Sequence, residues 1–282
     1  MTGIVTQFEN TKLSHMELSD QVVVDSDTTA YDTVLAMAEA DTSCAFVMSG
    51  AEIVGIFTEH DVTHRVVRSP DVWEQPVENF MTSNPKVVTG AASALDGLRL
   101  MTEGRFRNLP VILEDGNANL THYDLIHLAS DYLKSDHEET HEFNAEYALK
   151  YVDFYGMPSR VPLEVEADES LFNTIELMIK ADRGLISVVD LRGILIGEFT
   201  QHDVFRKVAC RVDDLNDVPV GDYMTTSNMA TALPTWSIAD GLHEMSKKRH
   251  RYLIVVNETG RTVGVVTFRD IADYFQAAFV TD

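Results

Sequence analysis

The 282-residue sequence contains few cysteines and no long apolar segment. Cys44 and Cys210 stand far apart, so neither a disulfide framework nor a cysteine metal cluster is expected, and both are interpreted as core thiols. No stretch approaches the roughly 18 apolar residues of a membrane span, and the N-terminus lacks the basic and then apolar order of a signal peptide. These absences predict a cytoplasmic protein without a membrane partner.

Positive charge is also scarce, because 22 Lys and Arg stand against 45 Asp and Glu, giving a net charge of −23. Such a chain repels phosphate backbones, so nucleic acid is not expected as a partner. The sequence has no Gly-x-Ser-x-Gly, no phosphate-binding P-loop and no Rossmann glycine fingerprint, and we therefore expect no enzyme. With 45% hydrophobic residues, the chain can bury cores for about two domains.

A six-residue motif occurs four times along the chain, twice closely and twice more loosely matched. Its copies are FTEHDV at 57–62, LTHYDL at 120–125, FTQHDV at 199–204 and VTFRDI at 266–271. The first and third copies are 142 residues apart, the second and fourth are 146 apart, and a Met-Thr phrase recurs after 143 residues, at Met81 and Met224. Two similar halves, each built of two similar quarters, explain these spacings. We number the quarters repeats 1 to 4 in chain order.

Each repeat predicts a helix, two strands and a second helix. Four methionines align the first helices, each with an apolar residue three positions earlier: Met37, Met101, Met178 and Met245. Three repeats also have a large apolar residue six positions earlier: Tyr31, Leu95 and Phe172. A β-branched run, a glycine turn and a strand ending at a threonine follow, which indicates a hairpin. A short strand before the helix completes the order β-α-β-β-α, so the fold class is α/β, or α+β in stricter usage.

The segment between the halves matches neither repeat. Its Phe143, Tyr147 and Tyr151 recur every four residues, which predicts a linking helix from about Asp136 to Phe154. The predicted organisation is an N-terminal repeat pair at 1–134, a linker at 135–159 and a C-terminal repeat pair at 160–282.

The linker also contains HEETH at His137–His141, a match to the zinc-protease pattern. This copy lies in a polar segment without an obvious third ligand. A solvated, acidic helix start is the favoured interpretation, and no metal site is expected; a metalloenzyme is the alternative.

The repeats resemble the cystathionine-β-synthase (CBS) domain, whose adjacent copies pair into Bateman modules. The matching segments are GIFTEHDV at 55–62, GEFTQHDV at 197–204, GVVTFRDI at 264–271, both Met-Thr phrases and RNLPV at 107–111. The resemblance implies two tandem Bateman modules in a stand-alone regulatory protein. Clefts between repeats would bind an adenosine nucleotide, AMP, ADP or ATP, as a regulatory ligand rather than a cofactor. S-adenosylmethionine or NAD is the alternative ligand; the regulated protein is unknown, and a monomeric disc or a homodimer would fit.

By the resemblance, a threonine and an aspartate of each repeat face the ligand. These candidates are Thr58 and Asp61, Thr121 and Asp124, Thr200 and Asp203, and Thr267 and Asp270. An ionised carboxylate can accept both hydroxyls of a ribose, and a threonine hydroxyl can donate to a phosphate or ribose oxygen. The glycine three residues before the threonine would let a flat base approach the backbone. The alternative is a capping box, in which the two side chains satisfy backbone N–H groups at a helix start, in a structural scaffold.

Positive charge concentrates before the second strand of repeats 2 and 4. The basic candidates there are Arg107 in repeat 2 and Arg249, His250 and Arg251 in repeat 4, and Arg269, inside the fourth motif, is a further candidate. The planar arginine fork matches a phosphate bidentately, so the even repeats are expected to supply the phosphate side. A solvated basic helix end that favours the helix dipole is the alternative. Repeats 1 and 3 instead carry Ser43 and Gly184 at the position that Arg107 and Arg251 occupy in repeats 2 and 4.

Two departures from the pattern affect single repeats. The hairpin of repeat 2 is shorter than that of repeat 4, and Ala118 replaces the motif glycine. His122 and Tyr123 could then occupy space that a base needs, and in the scaffold alternative Tyr123 or Phe268 fills the clefts. In repeat 3, Glu198 would repel phosphate if it faced inward, but strand alternation leaves its direction open.

Overall fold

A computed structural model describes residues 3–135, 145–157 and 159–279. The order β-α-β-β-α predicted from the sequence recurs in all four repeats, so the mixed α/β class is confirmed. Helix α1 (Ile4–Asn10) precedes repeat 1. Repeat 1 contains β1 (Val22–Asp25), α2 (Ala30–Glu39), β2 (Cys44–Ser49), β3 (Glu52–Thr58), α3 (Glu59–Asp61), a π-helix at Val62–Val66 and β4 (Thr82–Ser83).

The other repeats follow the same order. Repeat 2 contains β5 (Val88–Thr89), α4 (Ala94–Gly104), β6 (Asn108–Leu113), β7 (Gly116–Thr121) and α5 (His122–Lys134), and α6 (Ala145–Tyr151) lies between the halves. Repeat 3 contains β8 (Glu164–Glu166), α7 (Leu171–Ala181), β9 (Leu185–Val189), β10 (Leu195–Thr200), α8 (Gln201–Asp203) and a π-helix at Val204–Val208. Repeat 4 contains β11 (Thr231–Ala232), α9 (Ile238–Lys248), β12 (Tyr252–Val256), β13 (Thr262–Thr267) and α10 (Phe268–Phe279).

Each repeat builds one small sheet. Its first strand lies parallel to its second, and its second and third strands form an antiparallel hairpin. The hairpins of repeats 1, 3 and 4 contain a shift in register, whereas β6 and β7 pair without one from Asn108↔Thr121 to Leu113↔Gly116. The shorter hairpin expected in repeat 2 is confirmed, because it lacks the residues that form a bulge in the others.

The methionines that align the repeats all lie in the core. All four are completely buried: Met37, Met101, Met178 and Met245. The apolar residues three positions earlier are also buried. The prediction fails for Tyr31, which is 37% exposed and meets Trp73 edge-on with ring centroids 6.1 Å apart. One turn of helix α2 therefore contributes less to the core than its pattern indicates.

The chain forms two compact units, each of which takes one repeat from each half. The odd unit combines repeats 1 and 3, residues 20–86 and 163–229, and the even unit combines repeats 2 and 4 with the segments 1–19, 87–162 and 230–282. The even core includes Leu98 and Leu242, and the odd core includes Val34 and Ile175, so each core draws on both halves. The domain boundaries 1–134, 135–159 and 160–282 describe pairing along the chain and remain a prediction.

The described part of the linker contains a helix, and the two cysteines are buried to different degrees. Helix α6 lies within the helix predicted from Asp136 to Phe154, and HEETH at 137–141 lies outside the described residues. Cys44 is fully buried and Cys210 is half-buried, and burial raises the pKa of the Cys210 thiol to about 12. Among the helices in the described part of the chain, none is long and apolar enough to cross a bilayer.

Candidate ligand site at the ends of the second strands

The predicted threonine ends the second hairpin strand in every repeat, and the predicted aspartate folds back onto it. Oδ2 of each aspartate accepts hydrogen bonds from the threonine hydroxyl at 2.7 or 2.8 Å and from the threonine backbone N–H at 2.6 to 3.0 Å. This is the capping-box geometry that begins the following helix. The capping alternative is therefore realised in all four repeats, and it uses one carboxylate oxygen of each aspartate.

The second oxygen of each aspartate contacts a group that differs between repeats. Oδ1 lies 3.5 Å from Arg65 Nη1 in repeat 1, 2.9 Å from Ser19 Oγ in repeat 2, 2.8 Å from both Thr225 Oγ1 and Lys207 Nζ in repeat 3, and 2.9 Å from Arg160 Nε in repeat 4. Three of the four aspartates thus pair with a cation, whereas Asp124 is held by neutral hydroxyls. The four positions are equivalent in backbone structure and different in electrostatics.

These partners are additional site residues, and they reach the motif in two ways. Arg65 and Lys207 come four residues after their aspartates, which places them on the same helical face. Ser19 and Arg160 lie just before repeats 1 and 3 in the chain but form β-bridges to Asn119 of repeat 2 and Val265 of repeat 4, each two residues before the motif threonine. The helical spacing could have revealed the first pair from the sequence, but the bridging residues carry no motif.

Burial governs the protonation of two motif aspartates. Asp61 is 2% exposed, and its burial raises its pKa to about 6, although the Thr58 hydrogen bonds and the Arg65 charge oppose the rise. Burial likewise raises the pKa of Asp124 against hydrogen bonds from Thr121 and Ser19. Asp61 is thus an ionised acceptor at neutral pH and gains a proton in mildly acidic solution.

The motif glycines of the odd unit make room for the Met-Thr phrases. A side chain at Gly55 would clash with Met81, and one at Gly197 would clash with Met224. Strand β4 pairs antiparallel with β3 beside Gly55, and Thr225 exchanges two backbone hydrogen bonds with Glu198. The two repeated phrases are therefore parts of one packing arrangement. Close approach of a base to these glycines remains a prediction.

In the even unit, predicted basic residues from two repeats converge on one histidine. His122 is buried, and its pKa is held well below the usual range, first by burial and then by the charges of Arg107, Arg251 and Arg269. Arg107 belongs to repeat 2 and the other two arginines to repeat 4, so the fold brings together residues more than 140 positions apart. Three positive charges that act on one buried, neutral imidazole make this an environment that attracts an anion.

The residues flanking this cluster have defined places. Arg251 Nη1 donates to the Tyr123 hydroxyl at 3.3 Å, and the His122 ring meets the buried Phe268 ring edge-on with centroids 5.1 Å apart. His122, Tyr123 and Phe268, which the sequence indicated as possible space-fillers, therefore line the arginine cluster.

Arg249 and His250 are placed differently from Arg251. Arg249 ends helix α9 in the left-handed conformation with φ 57°, as Arg105 ends α4 with φ 54°. A basic residue at the C-terminal end of a helix interacts favourably with the helix dipole, so the position of Arg249 fits the alternative interpretation of this charge. His250 lies edge-on to Tyr252 with ring centroids 5.5 Å apart.

Repeat 3 carries a buried carboxylate beside its motif. Glu198 is 1% exposed and lies on β10 two residues before Thr200. At the same position the even repeats have the uncharged Asn119 and Val265. The sequence left the direction of Glu198 open, and the structure shows its side chain turned away from solvent.

Each of the four repeats matches a known protein family. The family model described as CBS domain matches four segments, residues 15–68, 77–130, 153–210 and 220–277. The CBS domain-containing protein CBSCBSPB1 of Arabidopsis thaliana is 25% identical over 298 residues, which cover 95% of this chain and 54% of the plant protein. The meiotically up-regulated gene 70 protein of Schizosaccharomyces pombe is 31% identical over 123 residues, or 17% of its length. The chain thus spans about half the length, or less, of these curated relatives.

Solved structures share the fold over nearly the whole chain. Protein MJ1225 of Methanocaldococcus jannaschii superposes with a TM-score of 0.75 and 16% identity, covering 97% of this chain and 100% of that one. A conserved protein from Pyrococcus horikoshii superposes with a TM-score of 0.57 and 18% identity, covering 92% and 97%. At these identities the likeness shows a common fold of four repeats.

Proposed function

This chain belongs to the CBS-domain family, and on that premise we propose that it is a regulatory protein that binds an adenosine nucleotide of the AMP, ADP or ATP class. The observation that carries the proposal is the cluster of Arg107, Arg251 and Arg269 around the buried, neutral His122. In a chain with net charge −23, three arginines collected from two repeats form a local field of the opposite sign. A polyphosphate is the part of a nucleotide that such a field selects.

The motif aspartates support recognition of the sugar. Each one uses Oδ2 to cap a helix and keeps Oδ1 beside a hydroxyl or a basic side chain. An ionised carboxylate oxygen has two acceptor directions, so a ribose hydroxyl can donate to Oδ1 while the cap remains intact. Capping and ligand binding are therefore compatible roles for one aspartate, and the proposal assigns both to Asp61, Asp124, Asp203 and Asp270.

The even unit is the better candidate for binding phosphate. The even unit holds the arginine cluster, whereas repeats 1 and 3 carry Ser43 and Gly184 at the equivalent positions and the odd unit buries Glu198. A buried carboxylate near the motif opposes phosphate. We therefore expect ligands with more phosphates to depend on the even unit, and adenosine itself to depend little on the arginines.

Regulation follows from linkage between repeats 2 and 4. An anion that contacts arginines of both repeats stabilises the arrangement in which those arginines are close, by the difference in its affinity for the two arrangements. The proposed signal is this shift, which a partner protein would detect as altered affinity. The role is regulatory rather than catalytic.

Isothermal titration of the purified protein against adenosine, AMP, ADP, ATP, S-adenosylmethionine and NAD tests the proposal. We expect binding of at least one adenine nucleotide. In the double variant Arg107→Gln/Arg251→Gln the affinity for ATP should fall by roughly 150-fold or more, since each of the two charge-assisted hydrogen bonds contributes roughly 1.5–3 kcal/mol and about 1.4 kcal/mol is a factor of ten. Adenosine affinity should change by less than about threefold.

The matched control is Arg192→Gln, which removes an exposed arginine of the odd unit that pairs with Asp190. This variant should bind as the parent protein does. Absence of heat with all six compounds, or an equal loss of ATP affinity in the control, would show that the arginine cluster is not a nucleotide site.

A structural scaffold is the second candidate, and one observation favours it. All four Thr-Asp pairs form the same hydrogen bond at a helix start, so the repeated geometry of the motif has a structural explanation without any ligand. Matched aspartate variants separate the two candidates.

A further inference from the structure

In the odd unit, two histidines of repeat 1 lie beside an aspartate of repeat 3. His60 and His64 follow the first motif threonine four residues apart, Asp182 ends helix α7, and one possible ligand atom from each lies within 4.8 Å of the others. Two imidazoles at helical spacing with one carboxylate form a typical zinc ligand set. We propose that His60, His64 and Asp182 bind a divalent zinc ion that joins repeats 1 and 3.

The orientation of His64 suits coordination through Nε2. Its Nδ1 lies 2.9 Å from the backbone oxygen of His60, an acceptor, so Nδ1 carries the proton and Nε2 carries the lone pair. Metal-bound histidines commonly donate their other ring N–H to a backbone carbonyl, which fixes the ring orientation. The His60 ring stacks on the His64 ring with centroids 3.8 Å apart and 26° between planes, so their in-plane lone pairs run nearly parallel, and rotation of the His60 ring would turn both toward one ion.

The contact of His60 with repeat 3 must reverse before His60 can bind through Nε2. Its Nδ1 lies 3.3 Å from Nε2 of the Gln201 amide, and because an amide nitrogen donates, this orientation leaves the ring proton on His60 Nε2. A half-turn of that amide presents its oxygen to the Nδ1 proton and leaves the lone pair on His60 Nε2. The opposite half of the unit already has this arrangement, because His202 Nδ1 lies 2.7 Å from Glu59 Oε1, and Glu59 occupies in repeat 1 the position of Gln201 in repeat 3.

The equivalent place on the other side of the odd unit is filled by an arginine. Asp41 and Asp182 each come four residues after the aligned methionine, and both are left-handed, with φ 55° and 49°. Arg206 Nη2 lies 3.3 Å from Asp41 Oδ1, and Arg206 Nη1 donates to the Ala38 carbonyl at the end of α2. His64 occupies in repeat 1 the position of Arg206 in repeat 3. A cation between His64 and Asp182 would thus supply the charge that Arg206 supplies opposite Asp41.

The separation of the ligand atoms fits a small cation after modest side-chain rotation. In tetrahedral zinc sites the metal lies about 2.0–2.1 Å from nitrogen or oxygen, so neighbouring ligand atoms are about 3.3 Å apart. The ligand atoms now lie within 4.8 Å of one another, and rotation about the side-chain bonds of the exposed Asp182 and the half-buried His60 would bring them to that separation. Water completes the fourth position. Imidazole ligands select zinc and its transition-metal neighbours over magnesium and calcium.

Zinc binding here would stabilise the odd unit, because the unfolded chain does not hold the three ligands together. The purified 282-residue chain, treated with chelator and dialysed, should bind about one Zn²⁺ per chain at this site by titration with ZnCl₂ and by metal analysis. The melting temperature should rise with added zinc. Co²⁺ should give the absorption spectrum of a tetrahedral site.

His64→Arg is the matched variant, since Arg206 shows that arginine fits opposite the equivalent aspartate. Its zinc affinity should fall by roughly 100-fold or more, and zinc should no longer raise its melting temperature, while the metal-free protein stays folded. Asp182→Asn should weaken zinc binding at least roughly 10-fold. These two changes act on opposite sides of the site, so a folding defect in one does not explain both.

The histidine pair of HEETH provides the control with the same spacing. In the variant His137→Ala/His141→Ala, zinc should still raise the melting temperature. This variant should also still bind the zinc ion that His64→Arg no longer binds. If zinc disappears in this variant and persists in His64→Arg, the metal belongs to the linker. If the chelated protein takes up no zinc at all, the proposed site does not exist.

Discussion

Arg160 holds Asp270 with its guanidinium: Nε lies 2.9 Å from Oδ1 and 3.1 Å from Oδ2, and Nη2 lies 2.8 Å from Oδ1. Arg160 is itself fixed to strand β13, because it exchanges two backbone hydrogen bonds of 2.9 Å with Val265. The motif aspartate of repeat 4 therefore caps helix α10 and pairs with an arginine from outside the repeat.

A double-mutant cycle measures this pair. Arg160→Met and Asp270→Asn should show a coupling of about 1–2 kcal/mol in the free energy of unfolding, since the pair is bidentate and mostly shielded from solvent. Urea denaturation of the four proteins gives the value. The control cycle uses Lys180 and Glu176, whose lysine is 74% exposed, and should give about 0.5 kcal/mol or less. Equal couplings in both cycles would contradict a structural role for Arg160.

The raised pKa of Asp61 makes stability depend on pH. The folded protein binds a proton at Asp61 up to about pH 6, whereas the unfolded chain releases it near 3.8. The stabilisation of the protonated form is therefore complete below about pH 4 and is lost as the pH rises through about 6. Over that range it amounts to roughly 3 kcal/mol, at about 1.4 kcal/mol per pKa unit. In Asp61→Asn, the free energy of unfolding measured by urea titration should not show this decrease between pH 4 and 7.

Asp96 gives the opposite sign. Hydrogen bonds from Ser93 lower its pKa, so its contribution is present above its normal value of 3.8 and disappears as the pH falls further. The stability difference between the parent protein and Asp96→Asn should stay constant from pH 5 to 7 and shrink only below about 4. A constant difference for Asp61→Asn across pH 4 to 7 would mean that burial does not raise this pKa.

Two aspartates that both cap helices separate ligand binding from capping. Asp124 caps helix α5 after the second motif, and Asp240 forms the same capping box with Ser237 at the start of α9, outside any motif. Replacing either by alanine should cost about 0.5–2 kcal/mol of stability. Only Asp124→Ala, which lies in the unit of the arginine cluster, should weaken the binding of an adenine nucleotide. Unchanged affinity in Asp124→Ala would favour the structural scaffold.

The packing of Met81 on Gly55 predicts a steric conflict. Gly55→Ala should destabilise the protein by about 1–3 kcal/mol, because the added methyl group overlaps the methionine side chain. In a Met81→Ala background the same change should cost much less. Gly264→Ala is the milder control, since its nearest neighbour is the small Ser159 side chain, with Oγ at 3.0 Å. Calorimetry or urea denaturation would show the difference, and equal costs in both backgrounds would exclude the overlap.

Local structure could be predicted from this sequence because each signal was repeated. Strand ends at Thr58, Thr121, Thr200 and Thr267 are confirmed, since the same turn and capping residues occur four times. The regular hairpin of repeat 2 follows from a count of residues between Gly116 and its threonine. Tyr31 misled the pattern because an aromatic ring can pack against Trp73 at the surface and still keep the helical spacing.

Relations between distant segments could not be predicted. Arg160 lies 110 positions before Asp270 and belongs to no motif, so only the folded chain reveals the pair. The role of Gly55 was also hidden, because its contact with Met81 depends on how β4 returns to β3. Nor does spacing say which repeats meet: helices α5 and α9, from different halves, pack together in the even unit, although the apolar pattern of α5 would suit several neighbours.

The way each unit takes one repeat from either half has a consequence for the chain as a whole. No contiguous stretch of sequence contains a complete unit, so the polypeptide must pass from one unit to the other four times. A separated half would leave the core of both units half-covered, with apolar surface exposed to water. Joining the halves in one molecule keeps the missing surface permanently nearby, and what would otherwise be a concentration-dependent association becomes an intramolecular one.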